Sequence, residues 1–222
     1  VSVLGRDEAA LANFTREGRA AGYVVADVTD PAQLSDAIHS AEDARGPISI
    51  LINNAGAVES GAFVKTKRLV WDYMLAVNLT SVFETCQIVL PGMVKRKYGR
   101  IVNIASTAGL KGYPYVAAYC AAKHGVIGLT RALALETAHL DVTVNAICPG
   151  YTDTDLVTRS ISTIVQKSGR SENDVRHEIS KSNPQNRLIT PEEVAAAVLY
   201  LCGPNSRAMI GQSLVIGGGE IM

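Results

Sequence analysis

The sequence predicts an α/β protein built on a doubly wound parallel sheet with helices on both faces. Short, almost continuously apolar runs recur along the 222 residues, as expected when both faces of a parallel strand are covered. Longer segments of helical period separate these runs, and strand–helix–strand alternation with right-handed crossovers produces this architecture. Since no repeat or linker is visible, we expect a single domain over residues 1–222.

The apolar runs predict strands at 1–4, 23–26, 48–52, 100–104, 142–147 and 213–216. Helical patterns between them predict helices at 7–20, 31–44, 67–96, 116–138 and 191–202. Two helix starts are well marked, because Asp30 precedes Pro31 and Thr190 precedes Pro191. A capping residue followed by proline is typical of a helix N-terminus.

The segment 152–187 interrupts the alternation. It is long, polar and weakly periodic, and it follows a strand end, where doubly wound folds bind their ligands. We therefore expect a mobile substrate lid over residues 152–187. A peripheral helical insertion is the alternative.

Charge and composition argue against several classes of protein. Lys and Arg total 21, as do Asp and Glu, so we expect no nucleic-acid partner and no membrane partner. No segment approaches the run of about 20 apolar residues that a membrane span needs, and the first residues do not resemble a signal peptide. The four cysteines are scattered in apolar contexts, which predicts buried thiols, no metal site and a reduced, cytoplasmic setting.

Tyr119 and Lys123 are the first candidates for catalysis. Their spacing of four places them one turn apart on the same face of a predicted helix. A phenol with an unperturbed pKa of about 10 becomes a workable acid or base at neutral pH when an ammonium lowers that pKa. The pair alone is a weak signal, because Tyr and Lys recur at this spacing in many helices.

Ser106 follows the strand predicted at 100–104, close to the start of the helix that carries Tyr119. Its hydroxyl can donate a hydrogen bond to a substrate carbonyl, or to the alkoxide that forms from it. A serine that terminates the strand or caps the next element is the alternative interpretation.

Taken together, these motifs resemble those of the short-chain dehydrogenase/reductases. Ser106 is followed thirteen residues later by Tyr119-x-x-x-Lys123. Three further motifs agree in order and spacing: Asn53-Asn54-Ala55-Gly56, Asn78 within Val77-Asn78-Leu79-Thr80, and Pro149-Gly150-Tyr151-Thr152-Asp153-Thr154. The resemblance covers almost the whole chain. It implies a Rossmann-like fold and an NAD(P)-dependent oxidoreductase that acts on CH–OH groups.

The resemblance also implies a role for each catalytic residue. Tyr119 exchanges a proton with the substrate oxygen, and Ser106 positions the carbonyl. Lys123 lowers the pKa of Tyr119 and holds the ribose hydroxyls on the nicotinamide side. Asn78 supports a water through which protons pass by way of Lys123. The alternative is that Asn78 is a polar residue hydrogen-bonded within its own helix.

Cofactor contacts are implied in the same way. Asp27 and Val28 resemble the pair that holds the adenine, although Asp27 is equally typical of the approach to a helix. Small residues that would run past the adenine ribose are Asn54, Ala55 and Gly56. Residues that would line the nicotinamide are Pro149, Gly150, Thr152 and Thr154. Many relatives have Val or Ile at the position of Thr152, so that contact is expected through the main chain.

Arg6 bears on the choice of cofactor. NAD-preferring relatives usually have an aspartate at the position of Gly5, whereas this chain has glycine followed by Arg6, which suits a 2′-phosphate. We therefore expect NADPH, with NADH as the alternative. A solvated arginine at a helix start is the other interpretation of Arg6.

One part of the family pattern is absent from residues 1–222. The family begins with a strand and a Gly-x-x-x-Gly-x-Gly turn that binds the pyrophosphate at a helix N-terminus, whereas residues 1–4 resemble its second strand. The missing strand would lie inside the sheet, so we expect exposed apolar side chains and unpaired backbone groups. A chain truncated relative to its parent is the favoured explanation, and a variant that lost cofactor binding is the alternative.

Residues 103–109 look most like those of 3-oxoacyl-[acyl-carrier-protein] reductases and polyketide ketoreductases. This likeness implies reduction of a 3-oxoacyl thioester, as in fatty acid metabolism. The alternatives are a dehydrogenase of a free secondary alcohol or 3-hydroxy acid, and a non-catalytic binding protein on this fold. The helices at 67–96 and 116–138 are long and apolar over more than one face, which favours oligomerisation. The resemblance implies a homotetramer through these helices, and a single broad core contact is the alternative.

Overall fold

The structure is a computed structural model that describes residues 1–222, apart from the side chain of Lys167. Its strands are β1 (Ser2–Gly5), β2 (Gly22–Val25), β3 (Ile50–Asn53), β4 (Tyr98–Ile104), β5 (Asp141–Pro149) and β6 (Ser213–Ile216). Its α-helices are α1 (Glu8–Arg16), α2 (Pro31–Arg45), α3 (Arg68–Leu75), α4 (Ser81–Arg96), α5 (Ala117–Thr137), α6 (Asp155–Ser168), α7 (Glu172–Ser180) and α8 (Pro191–Cys202). Every predicted strand and helix is confirmed, with shifts of a few residues at the ends.

All strand pairs are parallel, and the carboxyl ends of β3, β4 and β5 meet at one edge of the sheet. The pairing there runs Asn53↔Asn103 between β3 and β4, and Ile104↔Ile147 between β4 and β5. β4 and β5 are buried along most of their length, because helices cover both faces. The loops that follow these strands therefore lie side by side, where doubly wound folds bind ligands.

The strands form two parallel sheets. β1 pairs with β2, and the second sheet has the order β3-β4-β5-β6. β1 and β3 are not hydrogen-bonded to each other in the described chain. Ile50 and Ile52 of β3 are nearly half exposed, in agreement with the expected exposure of apolar side chains.

Helix starts follow the capping residues that the sequence marks. The Asp30 carboxylate accepts hydrogen bonds from the backbone N–H groups of Ala32 and Gln33 at the start of α2. At α8, Thr190 accepts from the backbone N–H of Glu193, whose side chain accepts from the backbone N–H of Thr190. Each cap satisfies donors that the first helical turn leaves free, and removing one costs about 1 kcal/mol.

The helix predicted at 67–96 is confirmed in extent but not in regularity. α3 and α4 are joined without a break by a π-helical turn, Ala76–Thr80. Such turns insert one residue into the hydrogen-bond ladder and are frequent at functional sites. Asn78 lies within this turn and is fully buried, so the irregularity directs its side chain into the molecule.

The combined segment Arg68–Arg96 also corrects the expectation that no helix is apolar enough to cross a membrane. Its length and composition alone meet that requirement. The signal is weak, because Val82, Val89 and Met93 on its inner face are buried in the main hydrophobic core. A core helix that packs on a sheet passes the same test of length and hydropathy.

The segment 152–187 contains α6 and α7. Ile161 and Val175 are buried, so the two helices have an apolar side that packs inward. Arg176 forms an ion pair with Asp153 at 3.3 Å, which joins α7 to the loop after β5. The segment therefore lies directly beyond the carboxyl end of that strand.

Candidate active site

Ser106 and Tyr119 are brought together at the carboxyl end of β4. Ser106 is the N-cap of the short 3-10 turn Thr107–Gly109, and its Oγ accepts from the backbone N–H of Ala108 at 3.1 Å. Ser106 lies near enough to Tyr119 for its side chain to lower the pKa of that phenol, against the larger opposing effect of burial. A substrate carbonyl oxygen placed beside both hydroxyls would have two donors within reach, which is the geometry that carbonyl activation requires.

Lys123 lies one turn further along α5 and is almost completely buried. Its Nζ donates a hydrogen bond to the backbone carbonyl of Ile104 at 2.8 Å, and lies 5.7 Å from the centroid of the Tyr119 ring. Burial lowers the pKa of Lys123 to about 8, against a weaker opposing effect of Cys148. The ammonium is therefore held beneath the last residues of β4, near Ser106.

Two effects act on the pKa of Tyr119 in opposite directions: burial raises it, and hydrogen bonding by Ser106 lowers it. The Lys123 ammonium lies over the Tyr119 ring and donates to the Ile104 carbonyl. Tyr119 is therefore a neutral phenol at physiological pH, ready to act as a proton donor.

Asn78 joins the loop after β3 to the same region. Its Nδ2 donates to the backbone carbonyl of Ala57 at 2.9 Å, and its Oδ1 accepts from the backbone N–H of Ala57 at 3.2 Å. A Cβ placed on Gly56 would lie 3.0 Å from Asn78 Oδ1 and 3.8 Å from Lys123 Nζ. The four catalytic candidates thus lie close together, and the absence of a Cβ at Gly56 avoids a tight contact with Asn78.

A buried polar network holds the strand ends in register behind these residues. Asn53 Nδ2 donates to Asn103 Oδ1 at 2.8 Å, and Asn103 Nδ2 donates to Thr130 Oγ1 at 2.9 Å. Thr85 Oγ1 donates to Asn53 Oδ1 at 2.7 Å. These bonds connect β3, β4, α4 and α5. Because every member has a partner, the network specifies one arrangement of the elements that carry the candidate site.

Gly109 permits the close contact between the turn after Ser106 and the helix of Tyr119. A Cβ on Gly109 would lie 2.7 Å from the backbone carbonyl oxygen of Lys123. We expect Gly109→Ala to destabilise the protein by about 1–3 kcal/mol, because the α5 backbone must move, and to lower kcat/KM.

Thermal unfolding and steady-state kinetics measure both effects of Gly109→Ala. Gly112→Ala is the matched control, since a Cβ at Gly112 meets nothing within 4 Å. If Gly109→Ala and Gly112→Ala gave equal stability and turnover, the close contact would have no consequence.

The candidate adenosine-binding residues lie together at the carboxyl ends of β1 and β2. Arg6 Nη1 and Asp27 Oδ2 form an ion pair at 3.4 Å. Asp27 also accepts from the backbone N–H and the hydroxyl of Thr29, and these bonds hold the pKa of Asp27 below its usual range. Val28 packs against the main core. The Asp27 carboxylate is therefore already occupied by residues of its own loop and by Arg6.

The remaining cofactor candidates lie in the loops that follow β3 and β5. Asn54, Ala55 and Gly56 begin the loop after β3. In the loop after β5, Thr152 Oγ1 donates to the Gly150 carbonyl at 3.1 Å, and Thr154 is the N-cap residue of α6. Pro149, the last residue of β5, adjoins this loop. These positions flank the catalytic candidates on the same edge of the sheet.

Sequence patterns missed a second cluster beside the site. The hydroxyl of Tyr113 donates to the carboxylate of Glu220, and Lys111 Nζ lies 3.2 Å from the same carboxylate. The Tyr113 ring stands edge-to-face against Tyr151, with 6.2 Å between centroids. No motif marks these residues, because Glu220 is distant in sequence from Lys111 and Tyr113 and meets them only in the folded chain.

Comparisons with known proteins agree with this geometry. The family model described as Enoyl-(Acyl carrier protein) reductase matches residues 1–220. D-beta-hydroxybutyrate dehydrogenase of Cupriavidus necator is 37% identical over 224 residues, which cover 100% of this chain and 87% of the relative. Acetoacetyl-CoA reductase of Allochromatium vinosum is 38% identical over 220 residues, which cover 97% of this chain and 85% of the relative.

Among solved structures, a variant of actinorhodin polyketide ketoreductase with NADPH superposes with a TM-score of 0.94 at 36% sequence identity. That match covers 99% of this chain and 87% of the ketoreductase. The family model, the two relatives and this structure all agree with the order of motifs along the chain. The chain therefore belongs to the short-chain dehydrogenase/reductase family of NAD(P)-dependent oxidoreductases acting on CH–OH groups.

Proposed function

We propose that this oxidoreductase reduces the 3-oxo group of an acyl chain carried as a thioester on coenzyme A or a carrier protein. The convergence of Ser106, Tyr119, Lys123 and Asn78 at the ends of β3 and β4 is the observation that carries the proposal. Relatives named as ketoacyl reductases and as an acetoacetyl-CoA reductase support the substrate class. Oxidation of a free 3-hydroxy acid is the second candidate, supported by relatives named D-beta-hydroxybutyrate dehydrogenase.

Steady-state kinetics tests this choice of substrate. We expect NADPH consumption with acetoacetyl thioesters, and a lower kcat/KM with free acetoacetate and with simple ketones. A higher kcat/KM for acetoacetate than for its thioester would favour the 3-hydroxy acid dehydrogenase. No turnover with any carbonyl compound, together with no binding of NADPH or NADH, would favour a non-catalytic binding protein.

The residues of the chain fit a nicotinamide cofactor. Gly56 leaves a cradle between Asn78 and Lys123 that a Cβ would fill, and Lys123 offers an ammonium donor at its edge. When bound, the cofactor supplies the hydride for the carbonyl carbon. Lys123 would hold the ribose hydroxyls, and the loops after β3 and β5 would hold the remainder: Asn54, Ala55, Gly56, Pro149, Gly150, Thr152 and Thr154.

The catalytic side chains act on the substrate oxygen. Ser106 donates a hydrogen bond that places the carbonyl and stabilises the oxyanion as it forms. Tyr119 transfers its phenolic proton to that oxygen. Because its pKa is raised, the phenol stays protonated through neutral pH, which suits reduction. The reverse reaction needs the phenolate, so alcohol oxidation should accelerate as pH rises.

Proton supply is the role that we assign to Lys123 and Asn78. Lys123 has a pKa of about 8, so it can lose and regain a proton near neutral pH. Asn78 holds the adjoining Ala57 backbone through both its amide atoms. It would support a water from which the proton reaches Lys123 and then Tyr119.

Arg6 makes NADPH the favoured cofactor. Its side chain is two-thirds exposed, and its contact with Asp27 is a single one at 3.4 Å, so the guanidinium remains available to a 2′-phosphate. We expect Arg6→Ala to weaken NADPH binding about 10- to 100-fold, as loss of a charge-assisted hydrogen bond implies, and to leave NADH binding unchanged.

Titration of cofactor fluorescence measures these affinities. Arg16→Ala on α1 is the matched control, because it removes an exposed arginine outside the loops that end the strands. Equal NADPH affinities for Arg6→Ala and the unchanged protein would contradict the assignment.

We further propose a homotetramer that forms through the helices at 67–96 and 116–138. Leu69 and Leu135 are each nearly four-fifths exposed, and Phe83 and Val94 are about two-fifths exposed. Such apolar exposure along two neighbouring helices is typical of a surface that another subunit covers.

Analytical ultracentrifugation should give a mass four times that of the chain. Leu135→Glu should lower this mass, because it places a charge on the surface between subunits. A monomer at micromolar concentration would contradict the homotetramer.

We also propose that the segment 152–187 closes over the substrate. This proposal rests on the position of α6 and α7 directly beyond β5.

We propose in addition that the protein works in the cytoplasm. This proposal rests on the four cysteines, all of which are free thiols, as expected in a reducing compartment: Cys86, Cys120, Cys148 and Cys202.

A further inference from the structure

The carboxylate of Glu220 is buried beside the candidate active site, although no step proposed above uses it. Its side chain is only 2% exposed, and Lys111 Nζ lies 3.2 Å from Oε1. A Cβ on Gly150 would lie 2.8 Å from Oε2. The carboxylate is therefore enclosed by three segments: the loop after Ser106, the loop after β5 and the turn after β6.

The partner that distinguishes this carboxylate is the hydroxyl of Tyr113. The phenol donates to Glu220 Oε1, because an ionised carboxylate can only accept. The phenolic oxygen also lies 2.8 Å from Thr107 Oγ1, and that hydroxyl can donate to it. Burial raises the pKa of Tyr113, and the hydrogen bond to Glu220 raises it further. Tyr113 therefore remains a neutral donor, and its bond to Glu220 is kept throughout the working pH range.

These bonds determine where the Tyr113 ring lies. One face contacts the Lys111 ammonium, with 4.9 Å between Nζ and the ring centroid. The ring stands at 90° to Tyr151, in the edge-to-face geometry that aromatic pairs favour. Tyr151 in turn lies close enough to influence the pKa of Tyr119. Tyr151 therefore lies near the Tyr119 hydroxyl, and Tyr113 packs against Tyr151.

We propose that Glu220 is a positioning residue that sets acyl-chain selectivity by holding Tyr113 against Tyr151. This inference rests on the proposed function. With the carbonyl oxygen at Ser106 and Tyr119, the apolar chain of a 3-oxoacyl substrate extends along the wall formed by the two rings. Each methylene buried on such a wall raises affinity by roughly fourfold. A long chain therefore depends on the wall, whereas an acetoacetyl group barely reaches it.

Four variants distinguish the effect of the hydrogen bond between Tyr113 and Glu220 from the effects of the surrounding packing and charge. Tyr113→Phe keeps the ring and removes the hydroxyl. Glu220→Ala removes the acceptor, and Glu220→Gln keeps an oxygen that can accept from Tyr113 while losing the charge. Tyr113→Phe combined with Glu220→Ala removes both partners. Glu192→Ala is the matched control, because Glu192 is an exposed glutamate on α8.

The measurement is kcat/KM with NADPH for acetoacetyl and 3-oxooctanoyl thioesters of N-acetylcysteamine. We expect Tyr113→Phe and Glu220→Ala each to lower the ratio of long-chain to short-chain kcat/KM by about tenfold, mainly through KM. The double variant should be no worse than Glu220→Ala alone, because both changes break one interaction. Glu220→Gln should stay within about threefold of the unchanged protein, as should the control.

Losses that are equal for the two substrates would indicate a purely structural role for Glu220 and overturn the inference. Additive losses in the double variant would do the same, as would equal damage from Glu220→Gln and Glu220→Ala. Reduction of thioesters with an unchanged ratio in every variant contradicts this inference alone. An unchanged protein that reduces no thioester contradicts the proposed function as well.

Discussion

Replacing Tyr119 with phenylalanine should lower turnover by about 10²- to 10⁴-fold, the usual contribution of a positioned general acid. The change removes only the hydroxyl, while the ring keeps its place beside Ala118 and Val77 in a small apolar cluster. The cofactor affinity should change little, because Lys123 and the loops after β3 and β5 remain. Stopped-flow reduction of an acetoacetyl thioester and titration of NADPH fluorescence measure the two quantities separately.

The matched control for Tyr119→Phe is Tyr115→Phe. Tyr115 lies on the same approach to α5, but its side chain is two-thirds exposed, so loss of its hydroxyl should leave turnover within about twofold of that of the unchanged protein. If Tyr119→Phe retained full turnover, another group would be the proton donor and the proposed mechanism would be wrong.

Lys123→Met should also abolish most turnover, but it should not lower the stability of the protein at neutral pH. Folding places the Lys123 ammonium in a buried site and lowers its pKa from 10.5 to about 8. A lowered lysine pKa means that the buried charge costs stability at neutral pH. Methionine has a similar length and no charge, so we expect the variant to have a Tm at pH 7 no lower than that of the unchanged protein.

The sign of the pH dependence follows from the same pKa values. Between about pH 8 and pH 10.5 the unfolded chain binds a proton at Lys123 that the folded protein has lost. Stability of the unchanged protein therefore gains a contribution as pH rises through this window, and the cost is fully present below it. Lys123→Met lacks this contribution, so its stability relative to the unchanged protein should fall from pH 8 to pH 10.5.

Denaturant unfolding at several pH values tests this expectation, with Lys95→Met on the exposed end of α4 as control. An equal pH dependence in Lys123→Met and the unchanged protein would show that Lys123 titrates alike in both states. A large loss of Tm at pH 7 would show that the bond to the Ile104 carbonyl outweighs the cost of burying the charge.

Local signals in the sequence predicted most elements of the fold. The buried runs of β4 and β5 are apolar on both faces because helices cover both sides of a parallel sheet. Thr190 followed by Pro191 marks the start of α8 because a capping residue and a proline at the first helical position both act within a single turn. The one-turn spacing of Tyr119 and Lys123 is likewise a local property of a helix, so their shared face needed no knowledge of the rest of the molecule.

The orientation of side chains within the candidate site was harder to predict from the sequence. The sequence placed Asn78 on a helix, but the π-helical turn that buries its side chain depends on packing against the loop after β3. Tyr119 and Lys123 lie together as expected, with 5.7 Å between Lys123 Nζ and the ring centroid, but the hydrogen bond from Lys123 to the Ile104 carbonyl was not foreseen. The direction of a buried long side chain depends on which acceptor the neighbouring strand presents, and sequence spacing does not encode that acceptor.

By itself, the sequence determined the parallel α/β class, the order of the strands and helices along the chain, and the four catalytic candidates. The fold class and the order of elements follow from periodicities of two and 3.6 residues, and the catalytic set follows from the resemblance of its motifs to those of the short-chain dehydrogenase/reductases. Only the tertiary structure decided the raised pKa of Tyr119, the hydrogen bond from Lys123 to the Ile104 carbonyl and the burial of Glu220 against Tyr113. Each of those depends on hydrogen bonding or desolvation between segments that are distant in sequence, and such contacts exist only after the chain has folded.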